Sequence, residues 1–209
     1  MPDASGNLLG IDDFTNGRQV RFHSYLDPDV VMALTPENPH ACVHHLSSGA
    51  VPRQTVFTIH KAPGTPQDRF ELSVAFEPGW DVQLAWVAWD DGSDSGTSLT
   101  NATTGVPNQG PDMNVFTIDV VDGCWFALNN SDHTRVADVS GSGTAEGNEI
   151  IGYPWNGGDN QRWRAQIVAG SALDSEAGDA VADPPAAKGS QPRAPRQHGS
   201  PAKGHPAKS

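Results

Sequence analysis

The sequence predicts an all-β fold of twelve short strands arranged as three repeats of four. Three observations predict it. Short runs that alternate at the strand period recur along the chain, each bounded by Pro, Gly, Asn or Asp. The last run of each set carries a matching aromatic anchor: Thr55-Val56-Phe57-Thr58-Ile59-His60 and Asn114-Val115-Phe116-Thr117-Ile118-Asp119 share the letters VFTI, and Gln161-Arg162-Trp163-Arg164-Ala165-Gln166 repeats their in/out pattern. Phe57, Phe116 and Trp163 are thus equivalent anchors 59 and 47 residues apart, a period at which no single unit buries its own apolar face. Finally, helix caps and long amphipathic runs are missing, which argues against helical and doubly wound folds.

Taken in order, Met1 to Asp12 is rich in Gly, Asp and Asn, so residues 1–13 read as a flexible lead-in with order beginning near Phe14. The first set of strands is Val20 to Leu26, Val30 to Leu34, Ala41 to Leu46 and Val56 to Lys61. The second is Phe70 to Phe76, Asp81 to Val87, Thr97 to Thr104 and Asn114 to Val121, with Thr97 to Thr104 the least regular. The third is Cys124 to Leu128, Arg135 to Val139, Glu149 to Tyr153 and Gln161 to Val168. One domain over residues 14–168 follows, with repeats at about 14–62, 65–121 and 122–168. From residue 169 to 209 the chain turns to Ala, Pro, Gly, Ser and Lys, a composition without the apolar side chains that offset ordering entropy, and it reads as a disordered tail.

Composition narrows the function. A chain of 209 residues with 36% apolar content builds one ordinary core. The net charge of −12 argues against nucleic acid as a partner, since phosphate contacts need a basic face. No basic start or long apolar run marks an export signal or membrane anchor, so a cytoplasmic protein without membrane insertion is expected. In that compartment Cys42 and Cys124 read as reduced, buried thiols. His44 and His45 are adjacent in a strand and point to opposite faces, with no Cys or carboxylate at ligand spacing, so no metal is expected. No cofactor motif, phosphate loop or nucleophile and base pair is recognisable, which argues for a non-enzymatic protein.

The strongest motif lies in Gly147 to Val168, GNEIIGYPWNGGDNQRWRAQIV. Two strands flank a loop, Pro154-Trp155-Asn156-Gly157-Gly158-Asp159, made throughout of turn residues. Tyr153 and Trp155 stand there beside Asn156, Asp159 and Asn160. Flat aromatic faces next to short amides and carboxylates suit a ligand with apolar C–H patches and vicinal hydroxyls, which describes a sugar. An ordinary hairpin in a β-protein has the same letters available to it, and the residues alone leave both readings open.

Twelve strands in three repeats, closed by Asn160-Gln161-Arg162-Trp163, resemble the ricin-B-like β-trefoil lectins, whose hallmark is a Q-x-W triplet near the end of each repeat. The flavour is that of fungal cytosolic members, in which D-x-S-G and I-I-G-Y-x-x-x-G-G-x-N-Q-x-W recur. Here Val136-Ala137-Asp138-Val139-Ser140-Gly141 precedes IIGYPWNGGDNQRW, and the full motif covers about Arg135 to Arg164. The resemblance implies structural roles for Gln161, which braces the loop, and Trp163, which packs in the core. It implies that Asp138 accepts hydrogen bonds from two neighbouring sugar hydroxyls, that Tyr153 is the stacking platform and that Asn160 is a second polar contact. Trp155, Asn156 and the Gly157-Gly158 backbone line the rim in this picture. Ile151 stands where some relatives carry a contacting glutamine.

Aligned with gaps, the first repeat puts Ala33, His45 and Gln54 at the places of Asp138, Tyr153 and Asn160, so its carboxylate is gone; the second puts Met113 at the place of Asn160. One competent site, in the third repeat, is the expectation. The resemblance implies a lectin for galactose or N-acetylgalactosamine-type glycans, with a defence role by analogy. A single shallow sugar site holds its ligand at about a millimolar dissociation constant, roughly −4 kcal/mol. Useful avidity then needs further sites, as in a homodimer, whose interface nothing in the sequence specifies. A β-trefoil protease inhibitor acting through Gly92 to Gly96 and Gly105 to Asp112 is the alternative, as is an accessory module of a toxin or enzyme.

Overall fold

The structure, a computed structural model, describes residues 2–35, 40–48, 53–61, 68–77, 80–88, 97–101 and 112–168. Each of the expected strand runs forms a strand: β1 Gln19–Ser24, β2 Val30–Ala33, β3 Cys42–His45, β4 Phe57–Lys61, β5 Phe70–Glu77, β6 Trp80–Ala88, β7 Thr97–Asn101, β8 Phe116–Asp122, β9 Trp125–Asn130, β10 Val136–Val139, β11 Ile150–Tyr153 and β12 Trp163–Ile167. The C-terminal tail, the loop at Gly92 to Gly96 and nearly all of Gly105 to Asp112 lie outside the described residues.

Strand pairing defines a β-trefoil. The first and last strands of each repeat close a ring in which β1 pairs β4, β4 pairs β5, β5 pairs β8, β8 pairs β9, β9 pairs β12 and β12 pairs β1, all antiparallel. Closure removes the open edges that a flat sheet would expose. The middle strands form three hairpins, β2 with β3, β6 with β7 and β10 with β11. These hairpins join one another: β11 pairs β7, Ala41 N–H donates to Leu99 C=O at 2.7 Å, and the Cys42 and Glu149 backbones bridge. Three small units that cannot each bury an apolar face thereby share one core of Leu, Ile, Val and Phe side chains.

The N-terminal segment departs from the expected flexible lead-in. Leu8 and Phe14 are fully buried, Leu8 N–H donates to Ala165 C=O and Ile167 N–H to Gly6 C=O, so the segment lies along β12. Asp3 holds its turn by accepting from the Ser5 and Asn7 backbone N–H groups and from the Asn7 side chain. Phe14 packs against Phe22 of β1, Phe70 of β5 and Phe126 of β9 at ring separations of 6.5, 4.9 and 5.6 Å. It thus touches the first strand of every repeat.

The histidine pair works as a clasp between repeats. His44 Nδ1 lies 2.7 Å from Glu146 Oε1, and the His45 backbone N–H donates to Glu146 Oε2. The His45 ring sits between Asp29 and the Thr144 carbonyl. The loop before β11, which leads into the third-repeat motif, is tied to β3 in this way.

Candidate functional site

In the third repeat β10 and β11 run antiparallel with Val136 opposite Tyr153, Ala137 opposite Gly152, Asp138 opposite Ile151 and Val139 opposite Ile150. Paired residues share a face and alternate residues swap faces. Ala137, Val139 and Ile150 belong to the core, so Asp138, Ile151, Val136 and Tyr153 lie on the other face. Tyr153 is therefore on the same side as Asp138, opposite a residue two positions away along β10, a spacing of about 7 Å.

Asp138 is the hub of a polar network. Its Oδ1 accepts from Asn160 Nδ2 at 2.7 Å and its Oδ2 from Gln161 Nε2 at 2.8 Å. Gln161 also donates to the Pro154 carbonyl, and its Oε1 accepts from the Asn156 backbone N–H, so one buried side chain fastens both ends of the loop to the carboxylate. Asn160 Nδ2 reaches the Val139 carbonyl as well. Asp138 is only 4% exposed, and burial pushes its carboxyl above the ordinary aspartate value while the two amide bonds pull the other way. Each carboxylate oxygen has two lone-pair positions and uses one on an amide.

Loop geometry depends on its glycines. Gly157 has φ +80, a left-handed conformation that side-chained residues adopt only with strain. A Cβ at Gly158 would stand 2.4 Å from Asn160 Oδ1 and 2.9 Å from Asn156 Oδ1. Both amides keep their places only because residue 158 has no side chain. The Gly158 N–H in turn donates to Asn156 Oδ1, and Arg162 Nη2 donates to the Gly157 carbonyl.

The aromatic residues divide. Tyr153 is 40% exposed and Trp155 44% exposed. Trp155, expected on the rim of the Asp138 site, lines a neighbouring cleft of about 370 Å³ with Asp119, Val120, Val121, Ala127, Asn129 and His133. Sequence reasoning missed those partners because β8, β9 and the turn after β9 meet Trp155 only through the fold. Trp163 is wholly buried in the core, and its Nε1–H donates to the Ala137 carbonyl at 2.9 Å.

The first repeat shows a one-residue correction. Val30, Met32 and Leu34 face the core, so Ala33 is on the outward face like Asp138, and Val31 two residues before it pairs with His44. His44, not His45, stands at the place of Tyr153. The gapped alignment slipped by one residue, which in a strand changes the face. Ala33 supplies no carboxylate there, and His44 is engaged by Glu146.

No protein-family model matches the sequence, and no curated protein matches it. Solved structures match the fold. The ricin B-like lectin of Macrolepiota procera, solved in complex with lactose, is similar with a TM-score of 0.53 and 15% identity over 73% of this chain and 96% of that one. The Rhizoctonia solani agglutinin is similar with a TM-score of 0.55 and 16% identity, covering 74% of this chain and 97% of that one. A mosquitocidal holotoxin is similar with a TM-score of 0.56 and 13% identity over 75% of this chain, which spans only 18% of the toxin. At such identities the likeness defines the architecture, a β-trefoil of the kind found in ricin B-like fungal lectins.

Proposed function

We propose that this chain is a non-enzymatic carbohydrate-binding protein that reads galactose or N-acetylgalactosamine-type glycans through one site in its third repeat. The observation that carries this reading is the outward face on which exposed Tyr153 stands two strand positions from Asp138, with the carboxylate braced by Asn160 and Gln161. The aromatic face takes the C–H patch of a sugar, and the carboxylate and the Asn160 carbonyl take its vicinal hydroxyls. Ile151, opposite Asp138, puts an apolar neighbour beside the carboxylate. That the Macrolepiota procera lectin was solved with lactose supports the sugar class.

A glycan array with the full chain tests the reading. Binding is expected to concentrate on glycans with terminal galactose or N-acetylgalactosamine. Absence of any glycan binding, together with tight inhibition of a serine or cysteine protease, would reassign the fold to the inhibitor function.

Acidification is a second test. The hydroxyl-accepting form of Asp138 is its carboxylate, and burial raises its pKa, so sugar affinity should fall on acidification at a higher pH than an ordinary aspartate would give. The side chains bonded to Asp138, Asn160 and Gln161, do not titrate. Stability responds in the opposite sense at this group: a raised carboxyl pKa contributes stability at low pH that is lost as pH rises through the folded-state value. Titration calorimetry from neutral pH downward, with circular dichroism showing the fold intact, checks it. Affinity that stays flat until the protein unfolds would remove Asp138 from the site.

A further inference from the structure

The cleft beside Trp155 is a built feature that the Tyr153 site does not use. Its walls come from four places. Asp119 and Val120 are on β8, Ala127 and Asn129 on β9, and His133 in the turn after β9, with Trp155 closing it from the loop after β11. At about 370 Å³ it falls within the range of roughly 300–1,000 Å³ typical of small-molecule sites. Trp155 and Val120, both in the lining, are 44% and 53% exposed. The Asp119 carboxylate and the His133 imidazole, also in the lining, sit 3.3 Å apart with their side chains 61% and 46% exposed. His133 is held in a left-handed backbone conformation, φ 59, which is uncommon for a side-chained residue, by a turn in which Asp132 accepts from Thr134.

The cleft lies near Tyr153 in the chain, since Trp155 follows Tyr153 by two residues. Asn129 pairs with Val136, and Val136 pairs with Tyr153, so one row across β9, β10 and β11 runs from the cleft to the aromatic platform, a distance of about 10 Å at strand spacing. Val136 and Asn129 are 1% and 3% exposed, so this row is itself covered, and the exposed side chains at its Tyr153 end are Tyr153 and, two residues on, Trp155. Two exposed aromatic residues two positions apart in the chain, each with a carboxylate and an amide nearby, offer one stacking face apiece.

We infer that the Trp155 cleft is a second carbohydrate subsite, which holds an inner residue of an oligosaccharide whose terminal sugar occupies the Tyr153 and Asp138 site. The inference rests on the proposed sugar reading of that first site. Trp155 supplies a stacking face, the Asp119 carboxylate accepts from vicinal hydroxyls, and the His133 ring offers one further donor or acceptor. Because both subsites belong to one chain, an oligosaccharide gains affinity without a second protein copy.

Calorimetry with methyl β-galactoside, lactose and a galactose-terminated tetrasaccharide tests it, using wild type, the double variant Asp119→Ala with His133→Ala, and Tyr153→Ala. Wild type should bind the tetrasaccharide about tenfold or more tightly than the monosaccharide, a gain of roughly 1.4 kcal/mol. The double variant should keep the monosaccharide affinity and lose the gain, and its melting temperature should stay near that of wild type because both side chains are exposed. Wild-type affinity that is independent of chain length, or a gain that survives in the double variant, overturns the subsite while leaving the first site standing. If Tyr153→Ala binds every probe as wild type does and the double variant binds none, the cleft holds sugar and the first site fails. No binding of any probe by wild type overturns both.

Discussion

Trp163→Ala is expected to lower the free energy of unfolding by about 3–5 kcal/mol, the range for deleting a fully buried large aromatic side chain. Trp163 is wholly buried, and it sits where three elements meet: its backbone pairs with Ser24 of β1 and Phe126 of β9, and its indole N–H donates to the Ala137 carbonyl of β10. Truncation opens a cavity in the shared core and releases the cap hairpin that carries Asp138. Trp163→Phe keeps most of the ring and removes the N–H bond, so its cost should be smaller, about 1–3 kcal/mol. Urea unfolding of both variants at equal m-value checks the order. A Trp163→Ala protein within 1 kcal/mol of wild type would show that the anchor is not a core element.

The strands and the anchors were legible in the sequence because both depend on local periodicity. Phe57, Phe116 and Trp163 repeat in their strands, and all are fully buried. What escaped was long-range or lacked a period. Leu8 stands in a Gly/Asp/Asn-rich segment beside Leu9 and near Ile11, and nothing local marks it out of the three as wholly buried; only closure of the barrel brings Phe14, where order is expected to begin, against Phe22, Phe70 and Phe126. The identity of the residue equivalent to Tyr153 in the first repeat turned on register, which a gapped alignment does not resolve. Gln161 as a loop brace was readable from its family resemblance, whereas its direct bond to Asp138, 23 positions earlier, was not. The Trp155 cleft belongs to the same class: Asp119, Asn129 and His133 carry no motif, and they matter only through where β8 and β9 end up.

The bond between Asp138 and Gln161 changes which substitution isolates the proposed sugar binding. Asp138→Ala removes one of two acceptors from each of Asn160 Nδ2 and Gln161 Nε2, which keep the Val139 and Pro154 carbonyls, and the loss of the charged acceptor beside the buried Gln161 costs about 1–3 kcal/mol. Loss of sugar binding in that variant would therefore come with loss of stability and a loosened loop. Asp138→Asn keeps the size but supplies only one carbonyl oxygen for two donors, so it is not a neutral replacement. Tyr153 is different: it is 40% exposed at the end of β11, and a surface truncation of this kind changes stability by about 0.5 kcal/mol or less. Tyr153→Ala should then lose the stacking face and weaken sugar binding at least about tenfold, while its unfolding curve overlays wild type. Tyr153→Phe, which retains the ring, should bind nearly as well as wild type if stacking is what the residue does. Calorimetry paired with urea unfolding separates the cases. If Tyr153→Ala costs stability and leaves affinity unchanged, Tyr153 is part of the wall, and the carboxylate network serves the fold alone.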